Sequence, residues 1–594
     1  MGMVARMIGT WGKAAFWAGL MTGAATPAWA ETSCKVGQLA AIPVTMQGMR
    51  AVVDTRINGR PAPFILDSGA FFSNIWPAVA HEFDLPQQPL PNGMRLGGIG
   101  GGTDATVATV RHFSLAGLDI PNVQFTVAGS DIGQSGLIGQ NVLGLADVEY
   151  DLPGGMVRLF KPMGCGRAAM AYWTKGQPFF EIPIETKEAA HNHTVGTVEL
   201  DGAKLNATFD TGAPQTVLNL RAAARAGVHP GDPGVEAAGW ESGMGRHVVQ
   251  GWTARFKLLK VGNEELHNVR LHFADLGMLD TDMLLGADFF VSHRLYVSNL
   301  QHRIYFTYTG GRLFDAVAHA DPSAAAVVVV QNGADAAAPT DAEGYSRRGA
   351  MYVTQHDLPH AIDDFTKAIQ MAPREPRYPR QRALAYLQQR RPVLAIDDLN
   401  TTLTLDPGDT HARLIRAELR LRAGNPAGTI ADLDLLNGQL PHEDAARLQM
   451  AHLYSGADAF DQAIEQYDWW ITAHREDAAR SAAQNGRCWS RMLAGKDLDK
   501  AMSDCNAAVH AIPTNPSFLD SRAFIHLRQK DDRAALADFN AALAIDPKRA
   551  WALYGRSLAE EHLGQTTEAA HDRALATALD KRLPDKIRKY GIGG

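Results

Sequence analysis

The sequence predicts a multidomain chain in which an all-β unit of two similar lobes is followed by an all-α solenoid of tandem helix pairs. Three observations carry that prediction: a strand-rich segment occurs twice, small residues then recur at a fixed spacing, and an Ala-rich stretch separates the two regions. At 594 residues the chain exceeds what one hydrophobic core serves. Internal repetition is therefore the first organisation to seek.

The first 30 residues read as a secretory signal. Arg6 and Lys13 precede the apolar stretch AAFWAGLMTGAA, which ends at Ala28-Trp29-Ala30, a small-x-small cleavage site. That stretch is too short to span a bilayer comfortably, and no later one reaches the required length. The expectation is an exported protein, periplasmic or secreted, with no membrane span after signal removal. A retained N-terminal anchor is the alternative. Glu31-Thr32-Ser33 ahead of Cys34 lacks the apolar residue of a lipoprotein signal.

Two lobes follow, expected at 31–165 and 166–313. INGRPAPFILDSGAFFSNI (57–75) aligns with LDGAKLNATFDTGAPQTVL (200–218), matching Gly59 with Gly202, Asp67 with Asp210, Ser68 with Thr211 and Gly69 with Gly212. Downstream, GLIGQNVL (136–143) aligns with MLLGADFF (283–290). Between them run short alternating or fully apolar segments such as VRLF (157–160) and RIYFTY (303–308), punctuated by Gly, Pro, Asn and Asp, which is a strand pattern. Residues 314–342 are Ala-rich with Pro and Gly and lack helical periodicity, so they read as a linker. The VVVV within them could instead be an edge strand.

From 343 to 594 the composition turns helical. Ala361, Ala395, Thr429, Ala463, Ala501, Ala535 and Ala569 are spaced 34, 34, 34, 38, 34 and 34 residues apart. Four positions after most of them stands a large residue, among them Phe365, Leu399, Leu433, Tyr467 and Phe539. Pro373, Pro407, Pro441, Pro513 and Pro547 follow at twelve. This 34-residue unit resembles the tetratricopeptide repeat, a helix pair packed through small residues and closed by proline. The resemblance implies a solenoid whose concave surface takes a protein partner.

Four cysteines suit an oxidising compartment. Cys34 and Cys165 bracket the first lobe. Cys488 and Cys505 fall at the facing positions of one helix pair, so two disulfides are expected, with buried thiols as the alternative for the second. Charge excludes one class of partner. With 57 basic and 64 acidic residues, a net charge of -7 and no long runs, the chain lacks the basic stripe that nucleic acid requires. His191-Asn-His193 has no acidic or thiolate partner at ligand spacing and reads as a solvated loop, so neither metal nor cofactor is expected.

A carboxylate at the end of an apolar strand is costly unless it is paired and hydrogen-bonded. Here that costly arrangement occurs twice, as Asp67-Ser68-Gly69 and Asp210-Thr211-Gly212, each followed later by two apolar residues and a glycine, Leu137-Ile138-Gly139 and Leu284-Leu285-Gly286. These features resemble the aspartic proteases, and the alanine after each triplet is similar to the retroviral branch. The resemblance implies a bilobal pseudo-dimer in which Asp67 and Asp210 form one catalytic dyad hydrolysing peptide bonds. In the family, the Ser68 and Thr211 hydroxyls bridge the two motif loops. Gly69 and Gly212 are expected to permit a tight turn and bring amides to each carboxylate. RLGGIGGGT (95–103) and AGWESGMG (238–245) read as hairpin flaps, with Gly98, Ile99, Gly100 and Trp240 as substrate contacts.

The sequence thus points to an exported aspartic endopeptidase acting on a protein or peptide, with repeats that recruit substrate or partner. Two competing readings remain, a non-catalytic peptide-binding envelope scaffold and lobes that pair between chains.

Overall fold

The computed structural model describes residues 34–592, except 91–94, 100, 130, 132–133, 167, 186–192, 242–247, 278–280, 311–312, 315–338 and 476. The signal stretch and most of the linker, including its VVVV, lie outside these residues. The chain forms an all-β bilobal unit followed by a helical solenoid.

The apolar runs that precede the two triplets become central strands, because a strand buried on both faces needs no polar alternation. In the first lobe Phe64–Leu66 runs parallel to Gly136–Ile138, which pairs antiparallel with Asn74–Ile75. The second lobe repeats this arrangement with Ala203–Phe209, Met283–Leu285 and Val217–Asn219. The motif strand and its apolar-apolar-Gly partner are thereby neighbours, and each triplet emerges from the same loop in its lobe.

A six-stranded sheet joins the lobes. Its order is Lys35–Pro43, Met156–Met163, Asp147–Asp151, His293–Ser298, Arg303–Tyr308 and Phe180–Pro183, so each lobe supplies three strands. At its centre Glu149 pairs with Tyr296. The alignment that matches Gly139 with Gly286 makes these two residues each other's duplicates. A pseudo-twofold axis therefore passes between them, and the repetition in sequence is also a repetition in space. Cys34 is bonded to Cys165, tying the edge strand to the end of its neighbour.

Among the described residues the solenoid contains seven helix pairs, from Ala342–Thr354 with Leu358–Met371 to Ala550–His562 with Thr566–Leu579, followed by Leu583–Lys589. The small residues are buried where paired helices touch. A Cβ on Gly349 would lie 2.7 Å from the Phe365 ring. The residue closing the first helix has positive φ in pair after pair, at His356, Arg390, Gly424, Asp458, Lys530 and Gly564. Cys488 is bonded to Cys505 within the fifth pair.

A ladder absent from the sequence reading also holds the pairs. Arg382 donates twice to Asp398 and once to Thr366 of the preceding pair. Arg416 does the same to Asp432 and Asn400, and Arg556 to Asp572 and Asn540. Such forked, partly buried contacts add geometric specificity as well as energy. The fourth pair carries Met450 and Gln466 at the ladder positions, and Arg447 bonds Gln466 and Asn437 instead.

The solenoid is docked on the β unit. Met351 of the first helix joins the β core, and Thr354 donates to Gly48 O at 2.9 Å. Two later turns return to the first lobe, where Glu443 contacts His81 at 2.9 Å and Asp477 accepts from the Asp131 amide at 3.1 Å.

Candidate active site

Asp67 and Asp210 leave equivalent strand ends, each held by its amide, Asp67 N donating to Ile138 O at 3.0 Å and Asp210 N to Leu285 O at 2.9 Å. The two carboxyl groups share a hydrogen bond across the axis. Each also accepts two backbone amides on its Oδ1: Gly69 and Ala70 donate to Asp67 at 2.9 and 2.8 Å, Gly212 and Ala213 to Asp210 at 2.8 and 3.1 Å.

The glycine amides do reach the carboxylates, but the glycines are required for a further reason. Neither is among the positive-φ residues, so no left-handed turn demands them. Space does. A Cβ on Gly69 would stand 2.2 Å from Asp210 Cγ, and one on Gly212 would stand 2.3 Å from Asp67 Cγ. Each glycine is the room occupied by the opposite carboxylate.

The hydroxyls of the triplets reach across the lobes. Ser68 N donates to Thr211 Oγ1 and Thr211 N to Ser68 Oγ, both at 3.0 Å. Ser68 Oγ donates to Phe209 O at 2.8 Å and Thr211 Oγ1 to Leu66 O at 2.7 Å. Four buried cross-lobe bonds thus fix the two loops against each other.

Burial raises both acids. Burial, the neighbouring Asp210 charge and the shared hydrogen bond hold the Asp67 carboxyl well above its usual range. Burial also raises Asp210, but the bond from Asp67, its two amides and the nearby His193 act in the opposite sense. Two carboxyls this close cannot both ionise, and they hold one proton between them. Such a pair can activate water with its ionised member and protonate a carbonyl oxygen or leaving nitrogen with the other.

Several supporting residues were missed in the sequence. Tyr150, buried in the interlobe sheet, sets its hydroxyl beside that of Ser68, and burial raises the phenol. Gln140 Nε2 donates to Ser68 O at 2.7 Å. Asn141 accepts from Ser73 N and Oγ, both at 2.8 Å, and in the second lobe Asp288 receives the corresponding bonds from Thr216 at 2.9 and 2.7 Å. Burial pushes the Asp288 carboxyl up to about 6. His193 is not on a freely solvated loop. It is half-buried with its ring 6.0 Å from Phe71, because the segment entering the second lobe crosses beside the site. His191 lies outside the described residues.

The first flap is a hairpin of Arg95–Gly98 and Gly101–Asp104, and it reaches across the axis. Ile99 packs on Ala213, Val217 and Leu284 of the second lobe. Gly98 ends the first strand of that hairpin, and Gly100 lies outside the described residues. Trp240 belongs to Glu236–Glu241, where it pairs with Gln250. Among the described residues no cluster of His, Cys, Asp or Glu could hold a metal ion, and no helix is long and apolar enough to cross a membrane.

Each lobe is similar to an aspartyl protease family model. Residues 53–142 match a family model described as "Aspartyl protease", and residues 196–292 match one described as "gag-polyprotein putative aspartyl protease". Two curated proteins of Arabidopsis thaliana are similar over shorter stretches. A TPR repeat-containing thioredoxin is 32% identical over 136 residues, covering 20% of this chain and 36% of its own, and a FAM10 family protein is 34% identical over 88 residues, covering 15% and 20%. The chain thus spans about a third or less of these relatives. Among solved structures, a tetratricopeptide repeat protein from Parabacteroides merdae is 21% identical with a TM-score of 0.27, covering 39% of this chain and 87% of its own. The APC/C hetero-tetramer Cut9-Hcn1 gives 15% identity and a TM-score of 0.30, covering 37% and 42%.

Proposed function

With an aspartyl protease segment in each lobe, we propose that the protein is an aspartic endopeptidase whose single active site is the Asp67 and Asp210 pair, completed within one chain. The observation that carries this reading is the mutual accommodation of the two carboxyls, each lying where the other triplet's glycine lacks a side chain. Nothing in a purely structural turn requires two acids to face each other in a buried, proton-sharing pair, an arrangement that costs stability.

In the proposed reaction, water lies between the carboxyls and the peptide carbonyl. The ionised member of the pair takes a proton from the water as it attacks, and the protonated member donates to the carbonyl oxygen. The tetrahedral intermediate then collapses with proton transfer to the leaving nitrogen. The hydroxyl bridges keep both acids at reacting distance, which is where much of the rate enhancement of such a site originates. Ile99 and the rest of the first flap would cover the bound peptide.

The two disulfides and the absence of a spanning helix among the described residues support an exported enzyme. The solenoid would bring protein substrates or a partner to it. The test is cleavage of an unfolded protein by the parent, Asp67→Asn and Asp210→Asn from acid to neutral pH. The reading requires an active parent and two inactive variants. An inert parent across that range would favour the peptide-binding scaffold.

A further inference from the structure

The final helix of the solenoid goes beyond covering its end. From the third pair onward successive first helices touch one another, whereas successive second helices do not pack closely, so the curvature there puts the first helices on the inside. On that inner face Trp489, Phe524 and Trp551, from the fifth, sixth and seventh pairs, meet edge to face at centroid distances of 5.7, 5.8 and 5.1 Å. The C-terminal segment joins the same core through Leu583, Ile587 and Ile592.

A cap needs only to shield the last pair. This segment continues back to the fourth. The Tyr590 hydroxyl donates to Asp458 at 2.6 Å, Lys589 also contacts Asp458, and the Tyr590 ring lies 5.9 Å from Phe460. On the way Arg528 of the sixth pair donates to Tyr590 O at 2.6 Å. Asp458 is 132 positions from Tyr590, in the turn between the two helices of the fourth pair. The ion pair is solvent-exposed, with Lys589 at 59% and Asp458 at 36% side-chain accessibility, and exposed pairs hold weakly. The contacts beyond the cap are specific in chemistry yet cheap to break.

We propose that residues 583–592 are a tethered occupant of the inner face between the fourth and seventh pairs. The array binds in their place a partner segment of the same chemistry: a short basic helix with apolar residues four apart, followed by an aromatic hydroxyl side chain directed at Asp458. This deepens the recruiting role given to the solenoid and is independent of the peptidase reading, since its readout is binding.

The probe is a labelled peptide of residues 581–594. A tether presenting its own copy at about 1 mM competes with a free copy of ~10 μM affinity by about 100-fold. The chain ending at Arg582 is therefore expected to bind the peptide about 100-fold more tightly than the full chain, and Asp458→Lys in that shortened chain should weaken binding about 10-fold. A folded shortened chain that ignores the peptide, or a full chain that binds it equally well, overturns the proposal and leaves the segment as a cap. Should the shortened chain lose its helical signal, the full chain carrying Lys589→Ala and Tyr590→Ala decides by hydrogen exchange. Faster exchange around residues 458–461 supports the tethered occupant, and unchanged exchange there refutes it.

Discussion

The two lobes share a scaffold and differ in how they brace it. Both deliver an acid from a buried strand end, both lend a hydroxyl to the other lobe, and both anchor the next segment through a hydroxyl on an Asn or Asp side chain. The bracing residues differ. Ser68 is backed by Tyr150 and Gln140, whereas the aligned positions in the second lobe, Val297 and Ala287, carry no polar group. The neutral Asn141 is matched by the ionisable Asp288. In a symmetric homodimer the two sides would be identical by construction. Duplication within one chain lets the acids stay alike while their surroundings diverge.

The strongest test of the shared part is Gly212→Ala, or Gly69→Ala. The added carbon would displace the opposite carboxyl by an ångström or more, and displacement of that order costs about 100-fold in rate. Peptide cleavage should fall at least that far while circular dichroism stays unchanged.

Breaking the cross-lobe bridge comes next. Ser68→Ala should destabilise by about 3 kcal/mol in denaturant unfolding, and Thr211→Ala by about 2 kcal/mol, because buried donors and acceptors left unpaired cost roughly 1–3 kcal/mol each. The order tests the asymmetry, since Ser68 has one more partner, Tyr150. Equal losses would mean that Tyr150 contributes nothing.

Asp288 sharpens the comparison through pH. Its folded carboxyl titrates at about 6, above the ordinary carboxyl value, so the folded state holds the proton more tightly than the unfolded chain does. The resulting stability is present in acid and lost as pH rises through 6. Asp288→Asn, which copies Asn141, should raise stability at pH 8 by on the order of 2 kcal/mol and leave it unchanged near pH 4. Asn141→Asp should impose the reverse on the first lobe. Thermal melts at the two pH values measure both. The smallest effect is expected from Tyr150→Phe, about 1 kcal/mol.

Much of this was legible in the sequence because it was written twice. The triplets, the apolar-apolar-Gly strands and the 34-residue spacing announce themselves through repetition, and local pattern suffices to place them. The braces are harder to see. Asn141 and Asp288 stand in the aligned segments, but their partners Ser73 and Thr216 lie about 70 residues upstream and only the fold brings them together. The arginine ladder was periodic and could have been found, since Arg382, Arg416, Arg522 and Arg556 each stand one position before a small residue of a first helix, Ala383, Ala417, Ala523 and Ser557. The return of Tyr590 to Asp458 left no trace, because curvature of the solenoid is a sum of small rotations that no single unit encodes.

The docking of the solenoid at separated points has a consequence for reach. Its first helix is embedded in the β core, and turns near Glu443 and Asp477 rest on the first lobe about 100 residues later in the chain. An array fastened at these points swings less freely than one held by its linker alone. Under the proposed function, a protein held on the array would be measured as by a ruler, and the bond that meets Asp67 and Asp210 would be chosen partly by its distance from the held segment.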